Sequence, residues 1–267
     1  MSKLKGIYKD LSNNDYHSEK LHLSSSNLKL LLKDPMKFYD EKILGNRKNE
    51  SKAVFDEGNY AHSLILEPHT IDDEYAFFSG FRKSGKDWQN FKAQHEGKIL
   101  LSKPQKHRVE KWVASYESLP VATNLISGCD AEYSLFGKLM DVPVKVRADA
   151  INIEKGYIAD VKTTSYDTDV DSFKYVVDSL RYDLSASLYC QMFEQHYEKP
   201  FDFYFIVLGK KDGQCQVYKA SEQTLEKGRR DVFKALKFFK EFKKNNWQIE
   251  EKNDIIEEDT EYEIQEI

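Results

Sequence analysis

The stretch KVRADAINIEKGYIADVKTT, residues 145–164, constrains the fold more than any other. Two runs of alternating character flank a short turn, the pattern of paired strands. Val144, Val146, Ala148 and Ala150 fall on one face, with Lys145, Arg147, Asp149 and Ile151 on the other. In the second run Tyr157, Ala159 and Val161 oppose Ile158, Asp160 and Lys162. A side-chain period of two puts Asp160 and Lys162 on the same face. A loop over 153–156 ends on Gly156, where a left-handed conformation is wanted. That loop pairs Asn152 with Tyr157, which sets Asp149 directly across from Asp160. A two-residue loop gives the same register, whereas a three-residue loop does not. The expectation is a half-buried hairpin with opposed aspartates and a lysine beside the second.

Like charges directly opposed across a strand pair destabilise it. A bound cation removes the conflict. Two carboxylates with waters suit Mg2+, which takes oxygen ligands and keeps much of its hydration shell. Mn2+ accepts the same ligands. A neighbouring lysine can place a water, lower its pKa, or neutralise charge developing on a phosphate. Metal, water and lysine together make a phosphodiester-cleaving site. The competing reading is a surface hairpin with a solvated Asp–Lys pair, because D-x-K alone is a weak motif.

At 267 residues the chain can bury a sizeable core as one domain. No apolar run reaches membrane-spanning length, and MSKLKGIYKD has no apolar signal core. No membrane partner is expected. The cysteines, Cys129, Cys190 and Cys215, are scattered without a C-x-x-C pattern, which fits a reducing cytoplasm. The net charge of −5 looks wrong for a nucleic-acid enzyme. Residues 250–267, however, carry nine Asp/Glu and one Lys, so the rest of the chain is mildly basic. Any DNA contact must then be a local patch.

Along the chain, Ser24, Ser25 or Ser26 can cap a helix bearing Leu28, Leu31 and Leu32, which Pro35 interrupts. A second helix covers VFDEGNYAHSLIL and stops before Pro68. The segment from Tyr75 to Trp112 is less regular, and a helix follows Pro104. AEYSLFG reads as a strand leading into the hairpin. Asp171 or Ser172 can cap a short helix, and a longer one spans about 184–197. FDFYFIVLG and QCQVYKA are strands joined by KKDG, and a basic amphipathic helix follows. The order implies a mixed sheet with helices on its faces.

That order around D…D-x-K resembles the core of the PD-(D/E)xK nuclease superfamily, a restriction-endonuclease-like α/β fold with an N-terminal helical segment. GNYAH (Gly58–His62) followed by SLILEP resembles the G-x-x-x-H…LEP signature of phage-type and RecE-type exonucleases. LSSSNLKLLLKDPMKF, R-x-D at Arg147–Asp149 and DVKTT at Asp160–Thr164 are similar to that family's segments too. YDLSASLY, residues 182–189, lies where the family has Q-x-x-x-Y. The resemblance spans nearly everything before the acidic tail. The expected organisation is one nuclease domain over 1–249, with a helical, basic portion over about 20–120 and the core over about 121–249.

The resemblance implies a Mg2+-dependent exonuclease that degrades one strand of linear double-stranded DNA from its 5′ end. The 3′ overhang would serve a single-strand annealing protein of RecT type in phage-type recombination. It also implies a homo-oligomeric ring and action in the cytoplasm of a bacterial host. Carried over residue by residue, Asp149 and Asp160 hold metal, with the Val161 carbonyl as an added ligand. Lys162 orients the attacking water. His62 completes a metal site or contacts the scissile phosphate; a lone helix-borne histidine is otherwise commonly structural. Glu132, in the strand before the hairpin, is a further candidate carboxylate. Tyr189 and Arg147 are assigned to DNA. The family's glutamine falls on Ser185, which shares a helical face with Tyr189 but is shorter, so that helix's role is open. Gln191 faces elsewhere.

Residues 82–111 carry nine Lys/Arg against three Asp/Glu, interleaved with aromatics. Lys83, Lys86 and Lys92 are the candidates for DNA contact in this arm; a solvated helix pair with core-facing Trp88 and Trp112 is the alternative. The acidic tail reads as disordered, or as a strand added to a partner. Two other functions compete: a nuclease of the same core with another polarity or endonucleolytic habit, and a non-catalytic DNA-end or partner-binding protein.

Overall fold

A computed structural model describes residues 4–46 and 55–249. The acidic tail lies outside the described residues. Among them, no helix is long and apolar enough to cross a membrane.

The N-terminal portion contributes strand β1 (Gly6–Tyr8) and helices α1 (Asn13–Ser18), α2 (Ser25–Lys33) and α3 (Pro35–Phe38). Ser24 caps α2 in a reciprocal box with Asn27, and Pro35 opens α3. Next come α4 (Asp56–Leu66), α5 (Ile71–Glu74), β2 (Tyr75–Phe78), α6 (Gly85–Gln94), β3 (Ile99–Ser102), α7 (Lys103–Glu117) and α8 (Pro120–Ile126). The segment expected to be irregular thus holds a two-stranded parallel sheet, β2 with β3. The core follows as β4 (Asp130–Leu139), β5 (Val142–Asn152), β6 (Tyr157–Thr164), α9 (Val170–Ser179), α10 (Tyr182–Tyr197), β7 (Asp202–Gly209), β8 (Cys215–Lys219) and α11 (Glu222–Lys244). The cap of α9 is Asp169, two residues before the first expected candidate, because its carboxylate accepts from the Asp171 and Ser172 amides.

The six-stranded sheet has the order β1-β4-β5-β6-β7-β8. β6 and β7 are parallel, joined by the α9–α10 crossover, and the other pairs are antiparallel. One face packs on α2, α9, α10 and α11 through Leu28, Leu31, Phe173, Leu184, Phe193 and Leu236. The other packs on α4 and α7 through Tyr60, Ala61, Val109 and Trp112. Both faces of β5 are therefore covered, and its interior is buried from Val144 to Ile151. The hairpin is central, not half-buried as alternation implied.

Its register is the expected one: Asn152 pairs with Tyr157, Ile151 with Ile158 and Ala150 with Ala159. Gly156 closes the turn at φ +70°, and a Cβ there would come 2.9 Å from the Pro200 carbonyl oxygen. The expected faces are corrected at one point. Ala148 packs with Val144 and Val146 toward α10, but so does Ile151, whereas Ala150 packs toward α7. On β4, Tyr133 and Ala131 divide the same way. The alternation breaks at Glu132 and Asp149, which the β4–β5 pairing skips between Ala131–Ala150 and Tyr133–Ala148, and Glu132 sits at φ +48°. A non-glycine residue in that region is a local cost that surrounding packing must hold in place.

Candidate metal and phosphodiester site

Past Ala150 and Ala159, β5 and β6 separate. β6 continues along β7, while Leu23 bridges the freed edge of β5 at Val144. The next positions in register are Asp149 and Asp160, at the base of this fork. Leaving the ladder frees the Val161 amide, and Asp149 Oδ2 accepts its hydrogen at 2.8 Å. A buried backbone donor needs a partner, so the fork itself orients the carboxylate.

Helix α4 supplies the histidine. Gly58 lies against β6, where a Cβ would come 3.2 Å from Thr163 Oγ1. The missing side chain lets the helix approach, and His62 follows one turn later on the same face. Its Nε2 donates to Asp149 Oδ2 at 2.7 Å, and its Nδ1 is 3.5 Å from Glu132 Oε1. The ligand atoms of His62, Glu132 and Asp149 all lie within 4.8 Å of one another, close enough to hold one metal ion. Asp160 stands apart from that trio, its Oδ2 ion-paired with Lys162 Nζ.

Electrostatics follow from this crowding. Burial lowers the tendency of His62 to protonate, but Asp149 and Glu132 overcome it and raise its pKa to about 9. Burial raises Asp149, yet the His62 and Lys162 charges bring it below the usual carboxylate range. Burial and the Asp149 charge raise both Glu132 and Asp160. Burial works against the Lys162 ammonium, but Asp160 and Asp149 hold it charged above the ordinary lysine range. Three carboxylates on three adjacent strands thus face the His62 imidazolium, the Lys162 ammonium and, at Glu132, the Arg147 guanidinium.

Arg147 is placed differently from the sequence expectation. It is 8% exposed, and its guanidinium is already engaged. Nε donates to Ser134 Oγ at 2.8 Å, one terminal nitrogen donates to the Leu11 carbonyl at 2.8 Å, and the other is 3.6 Å from Glu132 Oε2. The guanidinium also stacks over Tyr16, 4.2 Å from the ring centre. It pairs with Glu132 and is held inside the fold by these partners. Lys83 is likewise committed, donating to the Leu100 carbonyl at 2.5 Å with Asp56 at 4.0 Å. Lys86 and Lys92 are exposed on α6. Tyr189 packs edge-on against Phe203 and is raised by burial, then by Tyr16 and the Asp160, Asp149 and Glu132 carboxylates, so it also borders the site. Ser185 is half-buried on the same helix, and Gln191 turns back to Ser187.

Two residues that sequence reasoning passed over lie at the lysine. The Tyr182 ring has Lys162 Nζ 5.4 Å from its centre and Lys29 Nζ at 5.2 Å. Tyr182 opens the YDLSASLY segment, which was a signal. Nothing in the spacing of α2 singles out Lys29.

A sheet with a parallel β6–β7 pair, an α9–α10 crossover and Asp149, Asp160 and Lys162 at the fork defines a PD-(D/E)xK nuclease fold. Residues 24–258 match the PDDEXK-like domain of unknown function family (DUF3799), and the chain belongs to that family. Among solved structures, it is similar to one from Eubacterium rectale described as a "Putative exonuclease". The TM-score is 0.65 at 17% identity, over 90% of this chain and 88% of that one. A second, of the protein SSO0001, has a TM-score of 0.28 at 12% identity, over 66% and 85%, too low to bear on the fold. Comparison with curated proteins gave no match.

Proposed function

We propose that this protein is a metal-dependent exodeoxyribonuclease that digests one strand of linear double-stranded DNA from its 5′ end. The observation that carries the reading is the meeting of Asp149, Asp160 and Lys162 at the β5–β6 fork, with Glu132 and His62 beside them. Carboxylate oxygens from Asp149, Glu132 and Asp160, with the His62 imidazole, form a donor set that fits Mg2+ or Mn2+. The Val161 carbonyl is a further candidate ligand. The ion would polarise a phosphate oxygen and lower the pKa of a bound water.

The chain's own groups do the rest. Lys162 stays protonated beside Asp160, so it serves as a hydrogen-bond donor and positive charge for water and phosphate, not as a base. The Val161 amide fixes Asp149, and Arg147 fixes Glu132. Lys86 and Lys92, exposed on α6, face solvent where a duplex backbone can reach them. Tyr189 borders the α10 side of the fork, with Ser185 one helical turn before it. The 3′ overhang produced is the substrate of a RecT-like annealing protein in phage-type recombination, and the working form is a ring-shaped homo-oligomer in the bacterial cytoplasm. These last roles rest on the likeness to RecE-type exonucleases. Ser185, in place of a glutamine, favours one second reading: a non-catalytic protein that binds DNA ends.

The deciding experiment is digestion of linear 5′-phosphorylated duplex with Mg2+, beside closed circular duplex and single strands, with Lys162→Ala as control. Loss of the linear duplex alone, from one 5′ end and dependent on Lys162, is expected. Cleavage of circular duplex would make it an endonuclease. No metal-dependent cleavage by well-folded protein would leave the DNA-end-binding reading.

A further inference from the structure

A second feature lies outside the fork. Between the β2–α6 loop and α7 is a cavity of about 670 Å3 whose walls include Phe77, Phe78 and Phe81 and whose rim includes Lys103, Lys106 and His107. Phe81 is 77% exposed. A single exposed apolar side chain needs no explanation, but this one shares the cavity wall with Phe77 and Phe78. Phe78 is held with its ring 5.3 Å from both Trp88 and Phe91. The loop crosses it so closely that a Cβ on Gly80 would fall 2.3 Å from the ring.

The rim is cationic. Lys103 and His107 are exposed, and Lys106 Nζ sits 4.4 Å from the centre of the Phe77 ring. Glu110, a carboxylate in the lining, lies 3.6 Å from Lys106. Arg108 is paired with Glu57 of α4. That pair, and the Tyr60 ring at 5.1 Å from Tyr75 and 5.2 Å from Phe77, fasten the pocket to the helix that carries His62. The cavity therefore holds a fixed position relative to the fork.

Aromatic faces inside a cationic rim match one chemistry closely: an unpaired nucleobase whose flanking phosphates meet the lysines. A duplex keeps its bases stacked and presents backbone, which gains nothing from apolar rings. We infer that this pocket stacks unpaired bases of single-stranded DNA, the strand left intact by digestion. The inference rests on the nuclease reading for the source of that strand, but its binding chemistry can be tested without catalysis.

The test is fluorescence anisotropy in EDTA with labelled oligo(dT), an abasic oligonucleotide of equal length and a blunt duplex. The wild-type protein, Phe81→Ala, Phe81→Trp and Lys103→Glu are compared, with folding checked by circular dichroism. Oligo(dT) should bind about tenfold tighter than the abasic strand. Phe81→Ala should remove that preference and Phe81→Trp should keep it, while Lys103→Glu weakens both strands alike. Equal binding of oligo(dT) and abasic strands to the wild type overturns the inference, as does equal weakening of all three ligands by Phe81→Ala, which would make the patch a phosphate track. Binding of none of the oligonucleotides overturns it as well, and leaves the cavity to an apolar peptide. Cleavage of linear duplex without a base preference sinks this inference alone. A base preference without cleavage sinks the nuclease reading alone.

Discussion

Replacing His62 by alanine tests the charge balance of the fork directly. In the metal-free protein the imidazolium is held between Asp149 and Glu132, and its pKa rises from 6.5 to about 9. Each pH unit of such a difference corresponds to about 1.4 kcal/mol, which gives roughly 3 kcal/mol. The side chain keeps 29% exposure, so solvent screening reduces this to about 2 kcal/mol. Because the folded pKa is the higher one, the stabilisation is complete below pH 6.5 and disappears as pH rises through about 9. A chain of this size shifts its melting temperature by about 2–4 °C per kcal/mol. His62→Ala in EDTA should therefore melt about 4–8 °C below wild type at pH 6, and close to it at pH 10. Equal melting at pH 6, or a gap that stays the same from pH 6 to pH 10, would refute the reasoning. The second result would reduce His62 to a packing residue.

Gly58→Val should push α4 away from Thr163 and draw His62 off Asp149; Mn2+ affinity by calorimetry should fall about tenfold, and unchanged affinity would break the link from Gly58 to the site. Arg147→Met should destabilise the protein by about 3 kcal/mol in urea unfolding, because it strands the Glu132 carboxylate; a loss below about 1 kcal/mol would mean the guanidinium anchors nothing. Lys86→Glu with Lys92→Glu should lower the slope of log affinity against log salt by about two for duplex DNA. An unchanged slope would remove α6 from the interface.

The hairpin was legible because its constraints are local. A turn ending on Gly156 fixes the register, and register fixes which residues oppose one another. The G-x-x-x-H spacing was legible for a similar reason: one helical turn converts a close approach at Gly58 into a position for His62. Alternation could not report the break at Glu132 and Asp149, since a backbone turned to positive φ leaves no mark in polarity. It also could not show which face the rest of the chain covers. Arg147 looked available for DNA because the helix α1 segment, whose Tyr16 ring and Leu11 carbonyl take up the guanidinium, is more than a hundred residues away in sequence. The β2–β3 pair was missed because four-residue strands such as YAFF carry too few alternations to register.

The break and the fork are two parts of one device. A regular β5 would carry its ladder with β6 past Asp149, leaving the Val161 amide bonded to backbone and the two aspartates facing each other in a closed sheet. Separation of the strands gives Asp149 a backbone donor instead, and opens space for His62 from the α4 layer beside the Lys162 side chain of β6 itself. The reversal at Glu132 turns a third carboxylate into that space, and buried Arg147 holds it there. Glu132 is therefore better placed than Asp160 to share an ion with Asp149, since the Asp160 carboxylate is paired with Lys162. Glu132→Gln should thus weaken metal binding at least as much as Asp160→Asn, with calorimetry on Mn2+ as the measure. The opposite order would place the ion on the lysine side of the fork and leave the Glu132 kink as packing alone.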